Sequence, residues 1–283
     1  MRKSSLLSKH AKTFYWAGLF LPKNTFVKCS HLYDFCRTLD DIADQKKELS
    51  LKRKQFKIFK TKFEKKDSSL PVIKNIWRLI EKENISKKII LDLFDGVESD
   101  LKKTVRVIGE NNLFLYSYRV AGTVGLMMAK ILKVTKKDSL MGAINLGVAM
   151  QLTNIARDVI EDKKNNRFYI NHNFSSIKKT IQKADIFYYH SLSSIRDIPI
   201  SFRFSILVAR RVYRQIGYEI LKKKNINNYN LAGKIYVSKI TKCVQTFFSL
   251  IDLIQLFCTK PKKRGNSNLY SIIKKKINLH ERI

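Results

Sequence analysis

The stretch INLGVAMQLTNIARDVIED, residues 144–162, decides the fold class of this chain. Read as a helix, it aligns Gln151, Asn154 and Asp158 on one stripe, because residues three or four apart share a helix face. Asp162 follows four residues later, and the remaining surface is apolar nearly all round, which is typical of a buried helix. Buried carboxylates need partners, and a divalent cation is a strong one. The stretch therefore predicts a core helix that carries oxygen ligands for a hard metal ion.

A second acidic segment, LYDFCRTLDDIAD at residues 32–44, has the same helical period. One stripe is apolar, and the other carries a phenol, a guanidinium and two carboxylates, from Tyr33, Arg37, Asp40 and Asp44. Aspartate costs roughly 0.5–0.7 kcal/mol relative to alanine inside a helix, so two on one stripe indicate a purpose beyond helix formation. The alternative is a solvated face on which Arg37 pairs with Asp40. Two carboxylate pairs that face each other across a cavity could hold divalent cations, and the cations a diphosphate.

A third segment, YSYRVAGTVG at residues 116–125, contains two glycines three residues apart. Glycine is unfavourable inside a helix, so Gly122 and Gly125 indicate a kink or a close approach of the backbone to a substrate. Simple close packing between two helices is the alternative. Tyr116, at the start of the segment, could face either the core or a cavity.

Composition favours a single all-α domain. The chain has 283 residues, of which 45% are hydrophobic, and its 10 Gly and 4 Pro are few for the many turns of a β-sandwich or barrel. Because no repeat or long linker divides it, residues 1–259 are expected to form one helical domain and residues 260–283 a basic tail. Polar breaks between helices are expected at 163–173 and 225–230.

A net charge of +33 indicates either an anionic partner or a lysine-rich solvated surface. Nucleic acid is not expected to be that partner, because no recognition motif accompanies the charge. An anionic membrane surface is expected, because lysines are concentrated in the tail between Lys260 and Lys276. We therefore expect a cytoplasmic protein that is peripheral on the inner face of the membrane.

The apolar segments are expected to lie in the core rather than in a membrane. Polar and charged residues at 8–12 interrupt any apolar run near the N-terminus, so no signal peptide is expected. No uncharged span is convincingly long and apolar enough to cross a bilayer. The apolar helix from Val244 to Leu256 is expected to pack mostly in the core.

The cysteines show no metal-ligand spacing. Free core thiols in a reducing compartment are the expected interpretation. The four residues concerned are Cys29, Cys36, Cys243 and Cys258.

Four segments taken together resemble the squalene and phytoene synthase family of head-to-head prenyl transferases. HAKTFY at 10–15 is similar to the family's His-Ser-Lys-Ser/Thr-Phe motif, and CRTLDDIAD at 36–44 to its first aspartate-rich motif. VAGTVG at 120–125 and QLTNIARDVIED at 151–162 resemble its two central signatures. The resemblance implies an isoprenoid-synthase fold, a single all-α bundle around a central cavity.

The same resemblance implies a set of site residues. It implies Mg²⁺, or Mn²⁺ in its place, bridging substrate diphosphates to Asp40, Asp44, Asn154, Asp158 and Asp162. It implies diphosphate or substrate contacts by His10, Arg37, Gln151 and Arg157, and catalytic roles in the cavity for Tyr33, Arg37, Tyr116 and Tyr213.

Three positions depart from the family pattern. Ala11 stands where serine is common, and NRFYIN at 166–171 lacks the Gly and Pro of a Gly-Arg-x-Tyr-Leu-Pro segment. Lys234 stands where the family often has arginine. Lysine keeps the charge for substrate binding but loses bidentate phosphate geometry.

Within the family, AGTVG at 121–125 looks more like the phytoene synthases than the squalene-type branch. The expected reaction is condensation of two geranylgeranyl diphosphates to phytoene through a cyclopropyl diphosphate. Because proton loss ends that reaction, NADPH is not expected, and no Gly-x-Gly-x-x-Gly motif follows a strand. The alternatives are squalene or dehydrosqualene synthesis from farnesyl diphosphate, and a non-catalytic, membrane-associated assembly factor on the same fold. An unrelated helical RNA-binding protein is the last alternative.

Overall fold

Helices make up nearly all of the regular structure in the computed structural model, which describes residues 7, 9, 11–258, 273 and 275–283. The all-α prediction is confirmed. In chain order the helices are α1 Lys12–Gly18, α2 Lys23–Asp44, α3 Leu49–Glu64, α4 Pro71–Lys82, α5 Lys87–Glu98, α6 Glu110–Ser117, α7 Thr123–Ile131, α8 Lys137–Arg157, α9 Val159–Lys164, α10 Phe174–Leu192, α11 Ile200–Leu221, α12 Ile226–Ala232 and α13 Lys239–Cys258. A π-helix, Tyr118–Gly122, joins α6 to α7, and short 3₁₀-helices lie at Ser193–Asp197 and Leu279–Glu281.

The central helix of the bundle is α8, which contacts α7, α10 and α11. Its side chains Leu140, Ile144, Val148 and Leu152 are completely buried, so the prediction of a core helix is confirmed. The helix ends at Arg157, because Asp158 leaves helical geometry with φ −104° and ψ 14°. The single continuous helix predicted through residue 162 is therefore wrong at Asp158. The next helix, α9, continues in nearly the same direction, because the Asp162 N–H still donates to the Asp158 carbonyl at 2.8 Å.

Glycine lets two backbones meet beside α8. A Cβ on Gly147 would lie 2.2 Å from the carbonyl oxygen of Ala121, and one on Gly125 would lie 2.3 Å from that of Ala143. Close helix–helix packing is thus what the structure shows for the glycine motif. The chain there also changes its winding, since the π-helix directly precedes α7.

The apolar stripe predicted on α2 is buried, with Leu32, Phe35 and Leu39 fully enclosed. Phe35 meets Phe63 of α3 and Phe94 of α5 at ring-centroid distances of 5.7 and 6.0 Å. This aromatic cluster fixes the rotation of α2, and so turns its polar stripe away from the core.

A short parallel ladder, absent from the sequence prediction, joins two loops. Val105–Arg106 (β1) pairs with Arg167–Phe168 (β2), with Val105 opposite Arg167. The ladder holds the segment after α5 against the segment after α9. The polar break predicted at 163–173 is found there, between α9 and α10.

The second predicted break, at 225–230, is wrong. Those polar residues begin α12, because the Asn225 side chain accepts a hydrogen bond from the Asn228 N–H at 2.9 Å. An asparagine at this position caps a helix by satisfying one of its free N–H groups. Asn173 caps α10 in the same way.

The prediction that α13 packs mostly in the core is also wrong. Leu256 is buried, but five other large apolar residues of this helix are exposed: Val244, Phe247, Phe248, Ile251 and Ile254. By length and composition α13 could cross a membrane, and it is the one such helix among the described residues. Two cysteines of α13, Cys243 and Cys258, are exposed, so the core-thiol prediction holds only for Cys29 and Cys36, which are buried and half-buried.

The described part of the C-terminal segment packs on the bundle. Ile277 and Leu279 are buried, and the Arg282 guanidinium donates to both oxygens of Asp92 on α5, each at 2.9 Å. Residues Lys260–Arg264 and Lys274, which carry most of the predicted basic tail, lie outside the described residues.

Candidate active site

The two acidic motifs meet through Arg167. This side chain donates to the Asp44 carboxylate at 2.7 Å and to the Ala43 carbonyl at 3.3 Å, both at the end of α2. It also lines the small pocket that contains Asp162. Arg167 is positioned by the β1–β2 ladder, and sequence reasoning did not select it as a site residue. One guanidinium thus brings the ends of α2 and α9 to the same cleft.

Asp40 lies on α2 one turn before Asp44, and its side chain is accessible to solvent although other protein groups flank it. Limited hydration and the nearby Asp44 carboxylate raise the pKa of Asp40 to about 7. The Arg37–Asp40 ion pair of the alternative interpretation, a solvated face, is not formed: Arg37 pairs with the exposed Asp41 at 2.7 Å. The Nε atom of Arg37 is buried without an acceptor among the described residues. A buried donor without an acceptor is suited to an anion that enters the cleft.

The pKa of Asp162 is also raised. Burial and the neighbouring Asp158 raise the pKa of Asp162 to about 8. Asp158 itself is held by the Arg157 guanidinium, with N–O distances of 2.8 and 2.6 Å. The negative charge on α9 is therefore only partly neutralised by the protein.

Lys234 lies at the edge of this group. Its Nζ is 2.6 Å from a Glu161 carboxylate oxygen and 3.6 Å from one of Asp158. Together with Arg157, these residues line a cavity of about 300 Å³. The cavity is open and rich in cations, which suits a phosphorylated group.

A protein-only metal site is not assembled here. No three of the described His, Cys, Asp and Glu side chains converge closely enough to hold a metal ion. The donors nevertheless fit Mg²⁺ bound together with a diphosphate, because Mg²⁺ usually takes only one or two carboxylates and fills its shell with phosphates and water. Desolvation, and after it the neighbouring carboxylates Asp44 and Asp158, raise the pKa values of Asp40 and Asp162, and a divalent cation would stabilise their charged forms. The other three predicted ligands have protein partners: Asp44 with Arg167, Asp158 with Arg157, and Asn154 with Tyr213.

Two of the predicted tyrosines lie beside this cleft. The Tyr213 hydroxyl donates to the Asn154 side-chain oxygen at 3.2 Å, and its ring lies 4.9 Å from that of Phe14. Tyr33 is half-buried beside Arg37, and burial raises its pKa to about 12. The Tyr33 phenol therefore stays protonated at neutral pH, and the Tyr213 hydroxyl is held at the proposed metal-ligand position Asn154.

The third tyrosine reveals a residue that sequence reasoning missed. Tyr116 is buried, and its hydroxyl donates to one oxygen of Asp100 at 2.8 Å. The other Asp100 oxygen accepts from Tyr169 at 2.7 Å. Burial raises the pKa of Asp100, which also interacts electrostatically with both Asp40 and Asp162. Asp100 lies in the loop after α5, so no helical period marks it in the sequence.

The remaining predicted residues divide into two groups. Gln151 is half-buried and lies one turn before Asn154. The amide nitrogen of Asn154 lies 3.5 Å from the side-chain oxygen of Gln151. His10 lies outside the described residues. The structure thus gathers the two acidic motifs, three of the expected cations and the three tyrosines around adjoining parts of one region.

Comparisons with known proteins identify the family of this chain. The sequence profile described as squalene/phytoene synthase matches residues 7–173. A phytoene synthase from Pseudescherichia vulneris is 28% identical over 247 residues, which cover 76% of this chain and 80% of that protein. A chloroplast phytoene synthase from an Oncidium hybrid is 27% identical over 274 residues, 85% of this chain and 65% of that one. A crystal structure of a dehydrosqualene synthase in complex with a ligand superposes with a TM-score of 0.73 at 26% identity, covering 88% of this chain and 94% of that one. The chain therefore belongs to the squalene/phytoene synthase family, whose members are enzymes of the prenyltransferase type.

Proposed function

We propose that the protein joins two geranylgeranyl diphosphates head to head to give phytoene, through a cyclopropyl diphosphate. The similarity to two phytoene synthases and the AGTVG sequence at 121–125 support this choice of substrate. The observation that carries the proposal is the contact of Arg167 with Asp44, because it brings both acidic motifs to one cleft. Carboxylates for a metal and guanidinium groups for a diphosphate are then available at the same place.

Arg37 and Arg157 are the residues proposed to hold the diphosphates. The buried Arg37 Nε–H has no acceptor within the described part of the chain, and Arg157 lines the open cavity with Lys234. Guanidinium groups make strong, geometrically defined hydrogen bonds to phosphate oxygens. They would stabilise the diphosphate as its bond to the allylic carbon breaks.

The carboxylates would promote departure of the diphosphate by holding a metal ion. Asp40 and Asp162, with Asp44, Asn154 and Asp158, are the residues proposed to hold Mg²⁺ or Mn²⁺. When bound, such an ion withdraws electrons from the diphosphate and favours its departure.

Aromatic side chains would protect the carbocation that remains. Tyr33 and Tyr213 offer ring faces beside the cleft, and each cation–π contact contributes about 0.5–2 kcal/mol. Phe14, packed on Tyr213, adds an apolar surface that helps to exclude water, which would otherwise quench the cation. The double bond of the second prenyl diphosphate would then attack the cation, and loss of a proton would close the cyclopropane. After the second diphosphate leaves and the skeleton rearranges, loss of another proton would give phytoene.

Product analysis tests the proposal directly. Purified protein is incubated with Mg²⁺ and either geranylgeranyl or farnesyl diphosphate, with and without NADPH, and the extracted hydrocarbons are identified by mass spectrometry. We expect phytoene from geranylgeranyl diphosphate without NADPH. Squalene that appears only when NADPH is present would contradict the proposal, and Asp40→Asn serves as the inactive control.

A second candidate function has one specific observation in its favour. The superposed crystal structure is that of a dehydrosqualene synthase, and the superposition covers 94% of the length of that protein. Dehydrosqualene formation from farnesyl diphosphate uses the same residues and also needs no NADPH. Product chain length in the experiment above separates the two. A non-catalytic assembly factor is disfavoured, because all five proposed metal-ligand positions carry oxygen donors.

The prenyl chains of the proposed substrate and the proposed product are hydrophobic, so we also propose that the protein works at the cytoplasmic face of an anionic membrane. The net charge of +33 supports this location.

A further inference from the structure

Helix α13 turns its polar side towards the protein and its apolar side towards the solvent. The side chains that face the bundle include Gln245, Thr246, Ser249 and Asp252. The outer face, called here the apolar face of α13, consists of Ile240, Val244, Phe247, Ile251, Ile254 and Phe257. A surface helix of a soluble protein has the opposite arrangement.

Specific polar contacts fix this orientation. Asp252 is only 4% exposed, and both its oxygens accept hydrogen bonds from Arg211 on α11, at 2.5 and 2.6 Å. The Trp16 indole N–H donates to Thr246 at 3.0 Å. Rotation of α13 to bury its apolar face would leave Asp252 unpaired, and a buried charge without its partner is strongly destabilising. The packing therefore requires the apolar face to point outwards.

The charge around α13 is almost entirely positive. Between Glu219 and Glu281 the sequence has thirteen Lys and Arg residues, and its single acidic residue is the buried Asp252. Lys239 and Lys242 lie at the start of the helix, and the sequence KPKKR, residues 260–264, follows its end. An apolar surface with cations at both ends is complementary to a bilayer with anionic headgroups.

We infer that the apolar face of α13 inserts into the surface of an anionic lipid bilayer, with the helix parallel to the membrane plane. A second copy of the chain is a poor occupant, because it would bring two strongly cationic surfaces together. The residues outside the described ranges near α13, TKPKKRGNSNLYSI at 259–272, contain few apolar side chains to cover this face. A membrane-spanning orientation is opposed by the Arg211–Asp252 pair, which holds one side of α13 against α11.

The position of α13 connects this attachment to the candidate active site. On α1, Phe14 contacts Tyr213 beside the cleft, while Trp16 contacts Thr246 of α13. On α11, Tyr213 faces the cleft and Arg211 faces α13. Two helices thus separate lipid from the site, which suits prenyl chains that enter and leave through the bilayer. This benefit rests on the proposed function, whereas the attachment itself does not.

Vesicle binding with matched variants tests the inference. Phe247 and Ile254 are 63% and 61% exposed, so Phe247→Gln with Ile254→Gln should leave the fold unchanged. The control is Ile108→Gln, which alters a residue that is 77% exposed but lies in the loop before α6. Vesicles of equal parts phosphatidylcholine and phosphatidylglycerol are used at low salt and at about 1 M NaCl, where the Debye length is about 3 Å. We expect wild type and control to keep part of their binding at high salt, and the double variant to bind about tenfold or more weakly there.

Loss of all wild-type binding at high salt, with equal binding by the double variant at low salt, would overturn the inference and assign attachment to the basic tail alone. Activity on detergent-dispersed substrate, measured in parallel, should be the same for wild type and double variant. This comparison separates a failed membrane inference from a failed proposed function.

An exposed thiol reports the position of the helix. In a Cys258→Ser variant, Cys243 is the exposed cysteine of the described chain and can carry a fluorophore. We expect lipids with a quencher in their acyl chains to quench the label on anionic vesicles. An unquenched label, with light scattering that shows a dimer in solution, would overturn the inference in favour of a second copy as the occupant.

Discussion

Tyr116 and Tyr169 stack with their ring centroids 4.7 Å apart, and their hydroxyls donate to opposite oxygens of a single carboxylate, that of Asp100. The stack links the end of α6 to the strand after α9. Asp100 therefore fixes the direction of two phenols at once, at a point electrostatically coupled to both acidic motifs.

The first prediction concerns this carboxylate. Asp100→Asn keeps the size of the side chain but replaces one acceptor oxygen with a donor, so one phenol loses its carboxylate acceptor and keeps only the 2.9 Å hydrogen bond between the two hydroxyls. We expect kcat to fall by about 10- to 100-fold, because a small displacement of positioning groups can cost about 100-fold in rate. Tyr169→Phe, which keeps the ring stack, should have a smaller effect. Steady-state kinetics that show wild-type kcat in a folded Asp100→Asn protein would exclude a positioning role.

The second prediction compares two adjacent aspartates. Asp40 faces the cleft without an ion-pair partner in the described structure, whereas Asp41 is exposed and pairs with Arg37. If Asp40 is a metal ligand, Asp40→Asn should reduce turnover by about 100-fold or more, because even groups that only support a ligand contribute 10- to 100-fold. Asp41→Asn should be clearly milder. Equal activities in the two purified variants, with matching circular dichroism spectra, would contradict the assignment of Asp40.

The third prediction is a dependence of stability on pH in the absence of divalent metal. Burial raises the pKa of Asp162 to about 8 in the folded chain, from the ordinary value of 3.8. Between these values the folded state binds more protons at this residue than the unfolded state, so its contribution to stability falls as pH rises from about 4 to about 8. Asp162→Asn removes this contribution, and the variant should gain stability relative to wild type across that range. Urea denaturation at several pH values measures the difference between the two proteins.

Mg²⁺ should counteract the loss of stability that the Asp162 carboxyl causes as pH rises. Because carboxylate ligands must be deprotonated, Mg²⁺ should stabilise wild type more at about pH 8 than at about pH 5.5. The increase should be reduced in Asp162→Asn. A Mg²⁺-induced shift in melting temperature that is independent of pH and identical in the variant would remove Asp162 from the proposed ligand set.

Helical periodicity predicted the parts of the site that lie on single helices. The stripes on α2 and α8 carry both apolar and polar residues at regular spacing, and the spacing alone assigns each side chain to a face. Asp100 and Arg167 could not be found in this way, because they lie in loops that a two-residue ladder brings together. The break at Asp158 was equally hidden, since it depends on backbone angles at one residue.

The orientation of α13 shows a different limit of sequence reasoning. The sequence correctly predicted an apolar helix, but it did not indicate which face of the helix meets the bundle. That choice depends on Arg211 and Trp16, which lie on other helices and contact Asp252 and Thr246. Only the three-dimensional arrangement shows that the apolar face is the exposed one.

The last prediction concerns the contact between α8 and the π-helix. A Cβ on Gly147 would lie 2.2 Å from the Ala121 carbonyl oxygen and 2.7 Å from its carbon, and backbone atoms cannot move aside as a side chain can. Gly147→Ala should therefore push the two helices apart and destabilise the protein by roughly 3 kcal/mol, at the upper end of the range for overpacking. Gly217→Ala on α11 is the matched control, because its Cβ would meet only side-chain atoms of Ile181, the nearest being the Cγ2 methyl group at 3.0 Å. There the higher helix propensity of alanine, worth up to about 1 kcal/mol, should offset much of the strain. Chemical denaturation of both variants checks the difference, and equal stabilities would mean that the backbone contact at Gly147 is not close enough to exclude a methyl group.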